Sequence, residues 1–376
     1  MNSNEISLCM IVKDEEMVIS RAIICANQFV DEIIIVDTGS TDRTEELASV
    51  LGAKIYHYDW CNDFSKARNF AFSKATKDYI FWMDADDYIT PENTQLIMNL
   101  KKSLKYDEVD FVSMKYSLSL DSTGNTNTSL SRNRIVKREN NYKWIGKIHE
   151  YLEVWGKNLN TNICIHHGKV KPIVDRNIKY YERMESKGDN FTLRDRLYYG
   201  NELYYSGKYE EAIIQFRIFL ESDSGWVEDI KTASANLCSC YEKVGMLEEI
   251  KEIILKSFKE DIPRADLCCK LAECFFEENK ISQAIYWYKH ARECIPENNC
   301  MGYDFVDYYT WIPTIQLVLC YSILEKYEEA YYYNELTGIY KKNNHKVESN
   351  RQFLIEKLQE QKTAIPRFSF EINRIL

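Results

Sequence analysis

A short apolar run that ends in three acids places the strongest constraint on this chain. Residues 79–83 are apolar and largely aromatic, and Asp84, Asp86 and Asp87 follow them directly. Such a run predicts a buried strand, and acids at the carboxyl end of a strand lie where open α/β sheets bind their ligands. Carboxylates at this spacing can bind one hard divalent cation, which can in turn hold a diphosphate. A solvated acidic turn before a helix at Pro91 is the alternative that these residues leave open.

Apolar runs and helical patterns alternate through the first hundred residues. Predicted strands cover residues 6–12, 32–37, 53–58 and 79–83, and predicted helices cover residues 18–26, 42–51 and 64–75. This alternation predicts an α/β fold, with a Rossmann-like, mostly parallel sheet and helices on both of its faces. Asp37 and Asp84 both lie at strand carboxyl ends, so we expect them to converge on one crevice.

The roles of Asp37 and of the pair Arg68 and Asn69 near this crevice each have two interpretations. Asp37 is well placed to accept hydrogen bonds from a base or a ribose, although an acid in such a turn can also be a helix cap. Arg68 and Asn69, on the helix before the acidic strand, are suited to meeting a phosphate or bracing the acids. A surface salt bridge is the alternative for this pair.

The residues from 107 to 165 change to the alternating pattern of antiparallel strands, where we expect the acceptor side of the site. Trp144, Gly146, His149 and Glu150 form one compact polar group there, and the pair at 166–167 precedes a glycine. A histidine in such a place is often structural rather than a ligand, so both interpretations stay open at this point.

The chain turns helical after Pro172 and repeats one pattern. Turns between two amphipathic helices recur at residues 207, 245, 279 and 325, at intervals of 38, 34 and 46 residues, which fit the roughly 34-residue period of tetratricopeptide helical pairs with insertions. We therefore predict an all-α, tetratricopeptide-like repeat region whose aromatic residues are mostly core, with a peptide groove as the alternative.

Composition excludes several functions. The net charge of −10 and the lack of a long basic tract argue against nucleic acid as the main partner. No apolar run approaches the length of a membrane span, so we predict no integral membrane segment. The start of the chain lacks the pattern of a signal peptide, and the 12 cysteines have no zinc-site spacing. We expect a cytoplasmic protein with reduced cysteines.

Four segments in order, residues 10–16, 35–42, 67–69 and 84–87, resemble those of family 2 glycosyltransferases with the GT-A fold. The resemblance implies that Asp37 binds the nucleotide base and that Asp84 and Asp86 bind Mn²⁺ or Mg²⁺ with the sugar diphosphate. The full set of residues that we predict from it to bind the nucleotide sugar is Val12, Asp37, Ser40, Arg68, Asp84, Ala85, Trp144 and His149.

The pieces Trp-x-Gly-x-x-His-Glu and His-x-Gly look like the glycine loop, catalytic acid and late histidine of GT-A enzymes. This implies Glu150 as general base and His166 as an added metal ligand, with His167 the other possibility. Family 2 members usually carry an Asp base in a Glu-Asp pair. Because this chain departs from that pattern, Asp87 is the reserve candidate for the base.

The whole arrangement resembles the sublancin-type peptide S-glycosyltransferases of bacteriocin biosynthesis. It implies an inverting enzyme that moves a sugar from a nucleotide diphosphate donor, with UDP expected, to a Ser, Thr or Cys side chain of a peptide or protein. A lipid-linked or polysaccharide acceptor, or a non-catalytic scaffold, is the alternative. We predict a catalytic domain at 1–170, a linking helix at 171–192, repeats at 193–345 that can pair two chains, and a capping helix and tail at 346–376.

Overall fold

A computed structural model of the chain describes residues 4–104, 108–121, 124–168, 176–222, 224–296, 301–342 and 344–368. The chain divides into two compact units, one built mainly from residues up to Asn177 and the other mainly from Ile178 onward. The four domain ranges given above stay a prediction. Residues 171–175 of the predicted linker and the predicted tail beyond Phe368 lie outside the described residues.

Strands and helices alternate in the first part of the first unit, as predicted. They are β1 (Ile6–Val12), α1 (Ile19–Ala26), β2 (Glu32–Asp37), α2 (Thr44–Val50), β3 (Lys54–His57), α3 (Phe64–Lys74), β4 (Tyr79–Trp82), β5 (Asp87–Tyr88) and α4 (Pro91–Ser103). Strands then dominate: β6 (Phe111–Leu120), β7 (Thr126–Lys137), β8 (Lys143–Ile145), β9 (Tyr151–Glu153) and β10 (Asn158–His167), with a 3₁₀ turn at Arg138–Asn140.

Most of these strands form one sheet in the order β3-β2-β1-β4-β7-β6-β10-β5. The first four strands in this order pair in parallel, whereas β7 is antiparallel to both β4 and β6. The pairing of Val12 with Asp37 brings the carboxyl ends of β1 and β2 to the same edge. The predicted mostly parallel α/β sheet is confirmed. The antiparallel pattern predicted for the later strands holds for β6 and β7, but β10 runs parallel to β6.

The two faces of the sheet bury different side chains, because neighbouring strand residues point to opposite sides. Leu8 and Met10 of β1 pack in one core cluster with residues of α1 and α4. Cys9, between them, packs in a second cluster with Trp82 of β4 and Ala71 of α3. Helices therefore cover both faces, as the sequence predicts.

The second unit is almost entirely helical. Its helices are α5 (Arg176–Lys187), α6 (Leu193–Tyr205), α7 (Tyr209–Leu220), α8 (Val227–Val244), α9 (Glu248–Glu260), α10 (Ala265–Glu277), α11 (Ile281–Ala291), α12 (Trp311–Ile323), α13 (Tyr327–Tyr340) and α14 (His345–Glu360). A two-residue strand, β11 (Asp304–Phe305), and a 3₁₀ turn at Val306–Tyr308 precede α12.

Each of the four predicted repeat turns holds one residue in the left-handed region. These residues are Gly207, Gly245, Asn279 and Glu325, with φ of 77°, 81°, 59° and 57°. Glycine and asparagine adopt this conformation at low cost and often end helices. The all-helical character of the second half is confirmed. Among the described residues, no helix is both long and apolar enough to cross a membrane.

Candidate active site

Asp37 ends β2 with one carboxylate oxygen satisfied and the other free. Oδ1 accepts hydrogen bonds from the backbone N–H groups of Gly39 and Ser40, at 2.7 and 2.8 Å. Oδ2 is buried and has no hydrogen-bond partner among the residues that the structure describes. Leaving a buried polar atom unsatisfied costs about 1–3 kcal/mol. This oxygen is therefore placed to accept a hydrogen bond from a donor that the described residues do not supply.

The loops after β1 and β2 are tied to each other beside Asp37. The carbonyl of Val12 accepts from the backbone N–H and the hydroxyl of Thr38. The Ser40 hydroxyl accepts from the backbone N–H of Asp14, whose carboxylate accepts in turn from Thr41. Val12 and Ser40, which were predicted to bind the nucleotide sugar, thus brace the two loops in this structure. Their binding role stays a prediction.

Arg68 of α3 joins two carboxylates from different parts of the chain. Its Nη2 donates to Oδ1 of Asp84 at 2.7 Å, and its Nε donates to Oε1 of Glu150 at 2.6 Å. The guanidinium lies over the rings of Trp82 and Trp144, 5.1 and 4.7 Å from their centroids. Cation–π contacts and charge-assisted hydrogen bonds together fix this arginine in one position. The predicted bracing of the acids is therefore what the geometry provides.

The β8–β9 hairpin carries Glu150 and is anchored to α3. Asn69 binds the backbone of Trp144 through both ends of its amide, donating to the carbonyl and accepting from the N–H at 2.9 Å each. Gly146 and His149 have φ of 98° and 50°, so the turn between the strands uses left-handed backbone. Such conformations at a non-glycine residue are uncommon and concentrate at functional sites.

The remaining acids after β4 have very different surroundings. Asp86 is partly exposed, and its Oδ1 lies 3.7 Å from Nδ1 of His167. Asp87 is fully buried, where it pairs with Arg134 at 3.1 Å and accepts from the Tyr116 hydroxyl at 2.7 Å. Ala85, between these acids, is buried. Because Asp87 is enclosed by its own partners, the geometry disfavours it as the reserve candidate for the base.

The two adjacent histidines of β10 face different neighbours. The pairing of His167 with Asp87 across β10 and β5 puts its Nδ1 3.6 Å from Oδ1 of Asp87. His166 instead stacks on the ring of Tyr88, and its buried Nδ1 has no partner in the described part of the chain. The structure therefore groups His167 with the acids, rather than the His166 that was predicted as a ligand.

The pKa values of Asp84 and Asp86 are shifted in opposite directions. Burial acts to raise the pKa of Asp84, but the charges of Arg68 and Arg134 outweigh it and hold the pKa below its usual value. Burial raises the pKa of Asp86, against the opposing effect of His167. The Asp87 carboxylate is the main reason that the pKa of His167 is raised.

A divalent cation fits this cluster. Ligand atoms of Asp86, Asp87 and His167 lie within 4.8 Å of one another. Carboxylate and imidazole ligands are suitable for Mn²⁺, and carboxylates for Mg²⁺. A cation would also stabilise the ionised form of Asp86, whose pKa the buried site raises. The donor set is therefore compatible with the predicted cofactor.

Sequence reasoning missed Arg134, the largest fully buried side chain of the chain's described part. Its guanidinium lies 4.0 Å from the ring centroid of Trp82 and 4.5 Å from that of Tyr116, and two of its nitrogens have no hydrogen-bond partner among the described residues. Arg134 lies where the pairing of β7 with β6 shifts register, between Asn133 and Ile135, so strand alternation in the sequence could not predict which face its side chain takes.

The sequence is similar to those of several known proteins. The chain is 28% identical over 220 residues to the SPbeta prophage-derived glycosyltransferase SunS of Bacillus subtilis. The aligned region covers 54% of this chain and 50% of that protein. It is also 48% identical over 88 residues to a TPR repeat-containing protein of Synechococcus elongatus. That aligned region covers 23% of this chain and 22% of the relative. The chain thus spans half or less of the length of these relatives.

A crystal structure of glucosyl-3-phosphoglycerate synthase from Mycobacterium tuberculosis, in complex with Mn²⁺, UDP and glucosyl-3-phosphoglycerate, is 22% identical. The match covers 30% of this chain and 44% of that one with a TM-score of 0.27, which is too low to compare the two sites. The sequence match to a family is more direct, because residues 7–167 match the model described as glycosyl transferase family 2. These residues, which include all the side chains of the candidate site, are therefore a family 2 glycosyltransferase domain.

Proposed function

We propose that this protein is a metal-dependent, inverting glycosyltransferase that moves a sugar from a UDP-sugar to a side chain of a peptide or protein. The observation that carries the proposal is the buried, unpartnered Oδ2 of Asp37 at the carboxyl edge of the sheet. A pyrimidine such as uracil offers a ring N–H that this oxygen can accept. The family 2 domain at residues 7–167 supports a nucleotide sugar as the donor.

The diphosphate of the donor would lie between Asp37 and the acids after β4. Asp86 and His167, which cluster with Asp87, are the residues that would hold Mn²⁺ or Mg²⁺. The predicted ligands Asp84 and His166 remain candidates to complete the set. When bound, the cation would neutralise negative charge on the departing diphosphate. Arg68 holds Asp84 in position through its hydrogen bond to Oδ1.

Glu150 is our candidate for the general base. Its side chain is 11% exposed, and the Arg68 hydrogen bond fixes one of its oxygens. An inverting transfer needs one carboxylate to accept the acceptor's proton as the nucleophile attacks the far face of the sugar. The anchored β8–β9 hairpin would hold Glu150 for that step, and the nearby His149 and Trp144 would line the sugar pocket.

The acceptor assignment rests on the resemblance of the sequence to peptide S-glycosyltransferases. The helical unit would bind the acceptor peptide or a second copy of the chain, since stacked helical pairs offer extended binding surfaces. Hydroxyl and thiol acceptors both fit the proposal. The cytoplasmic location stays a prediction.

Thermal unfolding with nucleotides tests the proposal. The purified protein is heated with UDP, GDP, TDP or CDP, each with and without Mn²⁺. A ligand that binds only the folded state stabilises it, by about 2.7 kcal/mol at a concentration 100 times its Kd, and so raises the midpoint temperature of unfolding. We expect a Mn²⁺-dependent shift with UDP that Asp37→Asn reduces. If no nucleotide shifts the midpoint with metal present, the proposed donor site is wrong.

A further inference from the structure

Three side chains of types that can bind metal ions come together in the helical unit, and none of them belongs to the candidate active site. Cys268 lies on α10, His290 lies in the last turn of α11, and Cys294 follows that helix. Ligand atoms of all three lie within 4.8 Å of one another. Simple spacing in the sequence does not reveal the group, because 26 residues separate the two cysteines.

The distance between the two sulfurs matches a thiolate metal site. Sγ of Cys268 and Sγ of Cys294 are 3.9 Å apart. In a tetrahedral zinc site with Zn–S bonds of about 2.3 Å, two sulfur ligands are roughly 3.8 Å apart. The pair is thus already spaced for one ion, without a movement of either helix.

The third donor is positioned by its own surroundings. The ring of His290 stacks on Tyr286 and meets Trp287 edge-on, with centroids 6.3 and 5.8 Å away. Oε2 of Glu293 lies 3.6 Å from Nδ1 of His290. A carboxylate beside a ligating histidine is a common way to orient the ring and raise its affinity for a metal.

The turn after α11 fixes Cys294. Its backbone N–H donates to the carbonyl of Ala291 at 3.3 Å, and the N–H of Glu293 donates to the carbonyl of His290 at 2.9 Å. Cys268 is fully buried, whereas Cys294 and His290 are partly exposed. An ion can therefore enter from the side of Cys294 and His290.

From this geometry we infer that Cys268, Cys294 and His290 bind one Zn²⁺ ion that links α10 to the end of α11. Two thiolates and one imidazole suit zinc, and they leave a fourth position for water. This site shares no residue with the candidate glycosyltransferase site. Its expected effect is to stabilise the α10–α11 pair, since an ion that binds the folded state adds to its stability by mass action.

Cobalt spectroscopy on the full chain tests the inference. Co²⁺ bound to thiolates gives a sulfur-to-metal charge-transfer band in the near ultraviolet, which the carboxylates and imidazole near Asp86 cannot produce. Reduced protein that has been stripped with a chelator is titrated with Co²⁺ and then with Zn²⁺. We expect the band to saturate with one bound ion per chain and to disappear as Zn²⁺ displaces the cobalt.

Variants assign the ligands. Cys294→Ser should abolish the band, and His290→Gln should weaken binding by about tenfold or more. Cys274→Ser, a half-buried cysteine of the same helix outside the cluster, is the matched control and should keep it. Because Cys268 is fully buried, Cys268→Ser is informative only if its circular dichroism is unchanged; the two partly exposed positions test the site independently. A wild-type protein without the band, or an unchanged band in Cys294→Ser, overturns the inference. So does a Cys268–Cys294 disulfide whose reduced form takes up no metal.

Discussion

The guanidinium of Arg68 donates to Glu150 at 2.6 Å while it also holds Asp84 at 2.7 Å. The candidate base on the β8–β9 hairpin and the first acid after β4 are thus positioned by one side chain. Its planar, forked donors reach two carboxylates at once, which an ammonium group does less well.

We expect Arg68→Lys to lower kcat by about a hundredfold, because small displacements of catalytic groups cost that much. The measurement is the rate of sugar transfer or donor hydrolysis over a range of donor concentrations up to saturation. Arg217→Lys, a mostly exposed arginine of the helical unit, is the control and should be silent. A positioning role also predicts that kcat falls more than KM rises; an effect on KM alone would contradict it.

Replacing Glu150 separates the two candidates for the base. Glu150→Gln should lower kcat by a factor of about 100 to 10,000, the usual contribution of a general base, and should leave the UDP-induced rise in melting temperature intact. Asp87→Asn should instead lower the melting temperature, since Asp87 is enclosed by Arg134 and Tyr116. Normal turnover in Glu150→Gln would move the base elsewhere.

The sequence was sufficient to predict which edge of the sheet carries Asp37 and Asp84, because that depends on local patterns. Apolar runs that end in Asp37 and before Asp84 defined two parallel strands, and parallel strands bring their carboxyl ends to one edge. The pairing of strands that are far apart in the chain could not be predicted from these local patterns. Arg134 reaches Asp87 only because β7 runs antiparallel to β4, a pairing between residues far apart in the chain.

Two smaller features could be predicted only in part, for physical reasons. Neighbouring residues of a strand face opposite sides, so the register of β10 against β5 decides which histidine meets the acids. Glu325 adopts the left-handed turn conformation that Gly207 and Gly245 adopt at equivalent points. Its side chain gives no hint of this, and the helical patterns on either side were the only signal.

The two histidines should differ in metal dependence. His167→Ala should raise the Mn²⁺ concentration needed for half-maximal activity by about tenfold or more, because His167 lies beside Asp86 and Asp87. His166→Ala is the matched control from the next position, and we expect a smaller change because His166 stacks on Tyr88. Activity measured across a Mn²⁺ titration checks this. The reverse order of effects would restore His166 as the ligand.

Breaking the buried Arg134–Asp87 pair should destabilise the first unit. Both side chains are fully buried, and removing one charge leaves the other unpaired, at a cost of about 3–5 kcal/mol. We therefore expect Arg134→Met to lower markedly the temperature at which the first unit unfolds in calorimetry. The double change Arg134→Met with Asp87→Leu should recover part of the loss. If the single change has no effect on either transition, the pair does not contribute in this way.

Glu32 provides a prediction of how stability depends on pH. Burial opposes its ionised form, but Lys54, Ser7 and Thr76 bind the carboxylate and lower its pKa from 4.5 to about 2. Because the folded-state pKa is the lower one, this stabilisation is fully present above pH 4.5 and is lost as the pH falls towards 2. A shift of this size corresponds to about 3 kcal/mol at pH 7.

Glu32→Gln should therefore destabilise the protein by about 3 kcal/mol at neutral pH, and its deficit relative to wild type should shrink as the pH falls below 4.5. Urea unfolding between pH 7 and pH 3.5 measures this difference. Glu221→Gln, at a largely exposed glutamate directly after α7, should show almost no deficit at any of these pH values. A Glu32→Gln deficit that stays constant with pH would mean that packing or neutral hydrogen bonds, rather than the charge of Glu32, stabilise this end of the sheet.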